Sequence, residues 1–144
     1  MNTIEHEAFT ITDDLCNIRQ FLPRKQFSVL ASLCRGEERE FFQNKILELS
    51  RVINSMPKSY DTDGQGNHAV AYLHYFTGSW DWYITEKDID EDGEGQRQAF
   101  GLVKGFETEL GYIDIMAITR VGAELDLHWM PKTLGDIRKA SRAE

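Results

Sequence analysis

Residues Tyr72 to Glu86 read Y-L-H-Y-F-T-G-S-W-D-W-Y-I-T-E and constrain the fold of this chain more than any other stretch. Tyr72, His74, Tyr75, Phe76, Trp80, Trp82 and Tyr83 occupy seven of twelve positions, and Thr77-Gly78-Ser79 interrupts them. Aromatic and β-branched residues on either side of a short glycine-bearing turn form a hairpin. Aromatic rings are the largest apolar surfaces available for burial, so this hairpin is expected to be the wall against which the rest packs.

The segments before it carry a helical period. Thr12 is placed as an N-cap, Asp13 and Asp14 suit the positive end of a helix dipole, and Leu15, Ile18 and Leu22 follow at helical spacing until Pro23. A second helix is expected near Gln26 to Cys34, burying Phe27, Leu30, Leu33 and Cys34, with Arg35-Gly36 closing it. A third runs from Glu37-Glu38 to about Ser55, with Phe42, Ile46, Leu49 and Ile53 as its inner stripe and Arg39, Lys45, Glu48 and Arg51 outside. Pro57 stops it, and residues 59–67 read as a turn-rich linker.

Beyond that linker the pattern turns to strands, at 69–76, 79–86 and 99–104, with a brief one at Gly111-Tyr112-Ile113 and a helical turn around 114–120. Glu124 to Trp129 alternates with a period of two and is expected to bury Leu125, Leu127 and Trp129, with His128 toward solvent. Thr133-Leu134-Gly135-Asp136 resembles a capping box at the start of a basic terminal helix. The expected fold is therefore α+β: N-terminal helices packed on one face of a mainly antiparallel sheet, with a short C-terminal helix closing an edge. A loose tail over 1–10 precedes a single domain over 11–144, made of a helical part (11–57), a sheet part (68–130) and the terminal helix (132–142). A chain of 144 residues suits one such core.

Charge is informative by location. Residues 59–95 hold nine acidic side chains against one basic, Lys87, whereas residues 1–58 carry eight of each sign and residues 96–144 seven of each. The whole net charge of −8 thus sits in one quarter of the chain. A nucleic-acid platform needs cations beside its aromatic residues, and the hairpin has none, so direct nucleic-acid binding is not expected there. No apolar run approaches the roughly 20 residues that cross a bilayer. The N-terminus lacks the basic and apolar regions of a secretory signal, which points to the cytoplasm. Cys16 and Cys34 fall in helical segments without a C-x-x-C spacing and are expected to be buried thiols.

Several chemical patterns are incomplete. Asp88-x-Asp90-x-Asp92-Gly93 opens like a calcium loop, but Ala99 stands at the twelfth position where a bidentate Glu is required, and Asp61-x-Asp63 meets Tyr72 at the same place. The histidines lack H-x-x-x-H or H-x-x-E-H spacing for zinc. His74, Asp81 and Glu86 are the candidates for a small metal-dependent or His/Asp hydrolase. Lys132, Arg138, Lys139 and Arg142 are the candidates for an accessory DNA-transaction module. No cofactor fingerprint, phosphate loop or nucleophile elbow occurs, and neither a metal nor a cofactor is expected.

The blocks W-Y-I-T-E (Trp82 to Glu86), A-F-G (Ala99 to Gly101), E-L-G-Y-I (Glu109 to Ile113), G-A-E-L-D-L-H-W (Gly122 to Trp129) and P-K-T-L (Pro131 to Leu134) resemble a domain of unknown function found in plasmid, integrative-element and phage accessory proteins. The resemblance spans roughly 70–138. It implies a counter-defence factor of anti-restriction or anti-CRISPR type and supplies no catalytic residue. Combined with the charge map, the expectation is a non-enzymatic protein that binds a host defence protein or nuclease complex with a basic surface. Its binding residues are expected to be Asp88, Asp90, Glu91, Asp92 and Glu94.

Overall fold

The computed structural model describes residues 12–89 and 95–143. The tail expected over 1–10 lies outside them. Residues 12–18 form helix α1, which tightens into a 3₁₀ turn at Arg19–Phe21. Pro23, with its fixed φ, caps helix α2, Arg24–Leu33, and helix α3 spans Arg39–Ser55. The inner stripe of α3 is as expected, with Ile46 and Ile53 buried and Phe42 and Leu49 packed beside them. Cys34 is buried, whereas Cys16, expected inside, is exposed on the outer face of α1; both are free thiols.

Two strands, β1 (Val70–Ala71) and β2 (Leu73–Thr77), precede the turn at Gly78, whose φ of 51° suits glycine. Then follow β3 (Trp80–Glu86), β4 (Ala99–Lys104), β5 (Thr108–Ile113), helix α4 (Ile115–Arg120), β6 (Glu124–Leu125), β7 (Lys132–Thr133) and helix α5 (Leu134–Ala143). The main sheet has the order β5-β4-β3-β2-β6, antiparallel throughout, and β1 pairs with β7 in a small second sheet. The aromatic hairpin is its centre, with Tyr75 opposite Trp82 and Leu73 opposite Ile84.

Strand alternation sorts the side chains into two cores. Leu73, Tyr75, Trp82, Ile84, Ala99, Ile113 and Leu125 face the N-terminal helices and meet Ile18, Phe21, Leu30, Ile46 and Ile53. Tyr75 is fully buried, its hydroxyl donates to Phe21 O, and burial pushes that phenol well above its usual range. Tyr83 and Leu102 point the other way, to Ala69, Ala71, Leu134 and Ile137. Helix α5 therefore covers the second face of the sheet instead of closing an edge, because Leu134 and Ile137 are the apolar side of an otherwise polar helix. Thr133 Oγ1 accepts from Asp136 N at 3.2 Å, as the capping pattern predicts.

Two departures from the expected strands have local causes. The segment 124–129 keeps strand geometry only at Glu124 and Leu125, because Asp126 Oδ1 accepts from His128 N at 2.9 Å and bends the chain in an Asx turn. His128 is exposed. Strand β5 is longer than Gly111–Ile113 because all six of its residues pair with β4.

The β6 edge is finished by a side chain. Gln26 on α2 donates its Nε2 to Leu125 O at 2.8 Å and accepts from Leu125 N at 3.0 Å, imitating a further strand. Gln26→Ala orphans both groups of Leu125, a residue only 2 % exposed. It is expected to cost about 1.5 to 3 kcal/mol in a urea melt with unchanged slope.

Candidate functional site

The C-terminal end of β3 runs into three consecutive buried ionisable residues. Glu86, Lys87 and Asp88 are 3 %, 6 % and 6 % exposed. Charged groups at such depth need partners, and each of these three ties down a different piece of chain.

Glu86 accepts from Tyr60 N and Thr62 N, both at 2.8 Å, and from the Thr62 hydroxyl. Lys87 donates its Nζ to Ile53 O at 2.7 Å, in the last turn of α3, where a cation suits the helix dipole. Its backbone N–H bonds Pro57 O at 2.9 Å. Asp88 Oδ2 accepts from Gln98 N at 3.0 Å and Arg97 N at 3.4 Å, while Asp88 N donates to the buried Gln96 Oε1 at 2.7 Å. Ser59 Oγ is within 3.4 Å of Gln98 O and 3.5 Å of Lys87 O. Four segments are thereby drawn to one end of the sheet: the end of α3, the turn 58–64, the base of the β3–β4 connection and the start of β4.

The turn 58–64 pays for this order in backbone conformation. Tyr60 has φ of 74°, and among the described residues it is the non-glycine residue that adopts positive φ. A bulky side chain there costs of order 1–3 kcal/mol. The hydrogen bond from Tyr60 N to Glu86 holds it. Tyr60 is nonetheless 59 % exposed and is followed by exposed Asp61 and Asp63, with buried Thr62 between them. Asp61 Oδ2 accepts from Lys58 N at 2.9 Å, closing the turn.

On β5, Tyr112 is 58 % exposed and packs edge-on against Phe100, with ring centroids 5.4 Å apart. Its phenol is held above the usual range, first by a hydrogen bond with the Tyr60 hydroxyl, then by desolvation and the charges of Tyr60 and Asp63. Gln98 Nε2 lies 3.4 Å from the Tyr60 hydroxyl. The result is a paired-tyrosine surface beside two carboxylates, on a base locked by buried Glu86.

Of the binding residues expected from sequence, Asp88 is an internal ligand of its own loop and offers no exposed carboxylate. Asp90, Glu91, Asp92 and Glu94 lie outside the described residues. Lys87, the single cation of residues 59–95, is withdrawn into the protein. Arg97 is exposed, and a cleft of about 790 Å³ adjoining Gly95 is bordered by Arg19, Arg24, Lys25 and Arg120.

His74, Asp81 and Glu86 do not form one constellation. His74 Nε2 lies 2.7 Å from Asp81 Oδ1, but Nδ1 lies 3.0 Å from Asp126 Oδ2, while Glu86 serves the Tyr60 turn. The imidazole stacks on Tyr83 at 4.7 Å and 9°, with Trp129 at 5.1 Å. Each ring nitrogen is thus within hydrogen-bond distance of a carboxylate, so both are engaged by the fold. Among the described residues no group of three His, Cys, Asp or Glu side chains is placed to hold a metal ion. The cations of the DNA alternative are separated. Lys132 lies over Trp129 at 4.6 Å, Arg138 is half-buried and Lys139 is exposed. The Arg142 side chain is outside the described set.

Sequence reasoning leaves Tyr60 open between an exposed anchor and a core residue, and misses Tyr112. The signal available was Tyr60 itself, an aromatic inside the polar run S-Y-D-T-D-G. No protein-family model, curated protein or solved structure matches this chain. Among the described residues no helix is long and apolar enough to cross a membrane.

Proposed function

We propose that this chain is a non-enzymatic binding protein whose acidic, tyrosine-bearing end engages a basic surface on a protein partner. The observation that carries the reading is Tyr60, exposed just ahead of the exposed Asp61 and Asp63 and held in a costly backbone conformation by the buried Glu86. Tyrosine is a low-entropy anchor at interfaces, and neighbouring carboxylates select arginine- or lysine-rich counterparts and accelerate their approach. The resemblance to mobile-element accessory proteins names the partner class: a host defence complex, of restriction or CRISPR type, inhibited in the cytoplasm by occupation of its cationic groove. The acidic residues Asp90, Glu91, Asp92 and Glu94 extend the same charge in sequence.

The test is affinity capture from a host extract containing such nucleases, paired with a cleavage assay. Tyr60→Ala and the double reversal Asp61→Lys/Asp63→Lys are each expected to weaken capture about 30-fold or more. Reversal of Asp90, Glu91 and Asp92 to Lys is expected to abolish it with the melting temperature unchanged. Undiminished capture and inhibition by all three variants would sink the reading.

A further inference from the structure

Helix α5 and the face of the sheet beneath it enclose a cleft of about 180 Å³, lined by Leu102, Lys104, Thr108, Ile137, Arg138 and Ser141. Leu102 and Ile137 are buried and supply an apolar floor. The other four bring an ammonium, a guanidinium and two hydroxyls to one small space.

The charges there are unbalanced. Among the described residues neither Lys104 nor Arg138 forms an ion pair. Asp81 is the cross-strand neighbour of Lys104, but its carboxylate is held by His74 at 2.7 Å. Strand alternation sends Glu109 to the opposite face from Thr108. Lys104 Nζ donates to Ser141 Oγ at 2.8 Å, which fixes the ammonium at the cleft and leaves two further hydrogens for an acceptor there. Independently, Arg138 Nε is buried and has no hydrogen-bond partner among the described residues. A buried guanidinium N–H left unpaired is costly, so an acceptor is called for at this position.

We infer that this cleft binds a phosphoryl group. A guanidinium offers parallel N–H donors that match two phosphate oxygens, and an ammonium and two hydroxyls can meet the others. Size narrows the ligand. The cleft is smaller than the roughly 300–1,000 Å³ of sites for drug-sized molecules, yet it exceeds several times the roughly 30 Å³ share of one water. A single tetrahedral oxyanion fits that interval. The negative end of the α5 dipole opposes an anion there, but it amounts to about half a charge against two full cations. The ligand is inorganic phosphate or the terminal phosphomonoester of a small molecule.

Calorimetric titration of the full chain with inorganic phosphate, and separately with O-phosphoserine, at ionic strength held constant with sodium chloride, tests this. Saturable one-to-one binding is expected, and the tighter of the two ligands identifies the source of the phosphoryl group. Arg138→Gln and Lys104→Gln should each weaken it about tenfold or more. Arg138→Lys should also weaken it, because lysine keeps the charge but lacks Nε. Lys139→Gln, on the exposed side of the same helix, should leave it unchanged. Absence of binding to both ligands, or equal binding by every variant, overturns the assignment.

Discussion

Glu86→Ala is expected to lower the unfolding midpoint by about 10 °C or more, the consequence of losing about 3–5 kcal/mol at one buried carboxylate. Three donors converge on that group: Tyr60 N, Thr62 N and the Thr62 hydroxyl. Truncation leaves all three without an acceptor at a position where Thr62 is itself 8 % exposed. Each orphaned buried donor carries a penalty of about 1–3 kcal/mol before relaxation. Relaxation is available only if the turn opens, since Tyr60 then leaves its φ of 74°. The variant is therefore expected to be cut by protease in the 58–64 turn well before the core is lost. Glu86→Gln should be milder, because one carbonyl oxygen remains while the new amide N–H₂ faces donors. Tyr60→Gly relieves the backbone strain and should restore about 1 kcal/mol in the Glu86→Ala background. In the otherwise intact protein the same Tyr60→Gly change should stabilise the fold yet impair partner capture, separating stability from binding. A melting temperature for Glu86→Ala within about 2 °C of the parent would show that the carboxylate does not hold the turn.

The contrast between Glu86 and its surroundings shows where sequence reading succeeds. The hairpin was legible because Leu73, Tyr75, Trp82 and Ile84 alternate with residues of different character, and period two is a local property of the chain. The register that brings Asp81 near His74, seven residues away, follows from the tight turn at Gly78. Asp126 is 52 residues from His74, and nothing local announces it. The same is true of Glu86, Lys87 and Asp88. Every residue from Trp82 to Asp88 is buried, so alternating exposure is already lost over the run that ends in the three charges. Charges in sequence imply solvent, and it is the backbone groups supplied from residues 53–62 and 97–98, with the Thr62 hydroxyl, that make their burial tolerable. The acidic character of 59–95 was thus read correctly as a sum. It was misread at Asp88, which binds its own loop, and it weighed Asp61 and Asp63 as an incomplete calcium pattern rather than as the carboxylates that follow an exposed tyrosine. Helix α5 was recognised from its cap and basic residues, but two apolar side chains do not reveal which face of a sheet they will cover.

His74→Ala is expected to cost about 2–3 kcal/mol, and the loss should be coupled to two carboxylates rather than to packing alone. The imidazole bridges Asp81 on β3 to Asp126 in the bend after β6, at 2.7 and 3.0 Å. It thereby joins the centre of the sheet to the segment that an Asx turn has pulled out of strand geometry. The side chains of Asp81 and Asp126 are 29 % and 26 % exposed, so solvent screening holds the effect below that of a fully buried pair. Removing the ring leaves two like charges facing a gap, and Asp126→Asn added to His74→Ala should return about 1 kcal/mol. Asp126→Asn alone should instead destabilise, which gives the cycle a sign that packing loss cannot imitate. His74→Phe retains a ring against Tyr83 and Trp129, 4.7 and 5.1 Å away, but neither ring nitrogen. It should therefore remain well below the parent in stability. If His74→Phe melts with the parent, the ring matters as apolar surface and both carboxylates are satisfied by water. If it falls with His74→Ala, the bridge is electrostatic and both ring nitrogens are engaged in holding the fold.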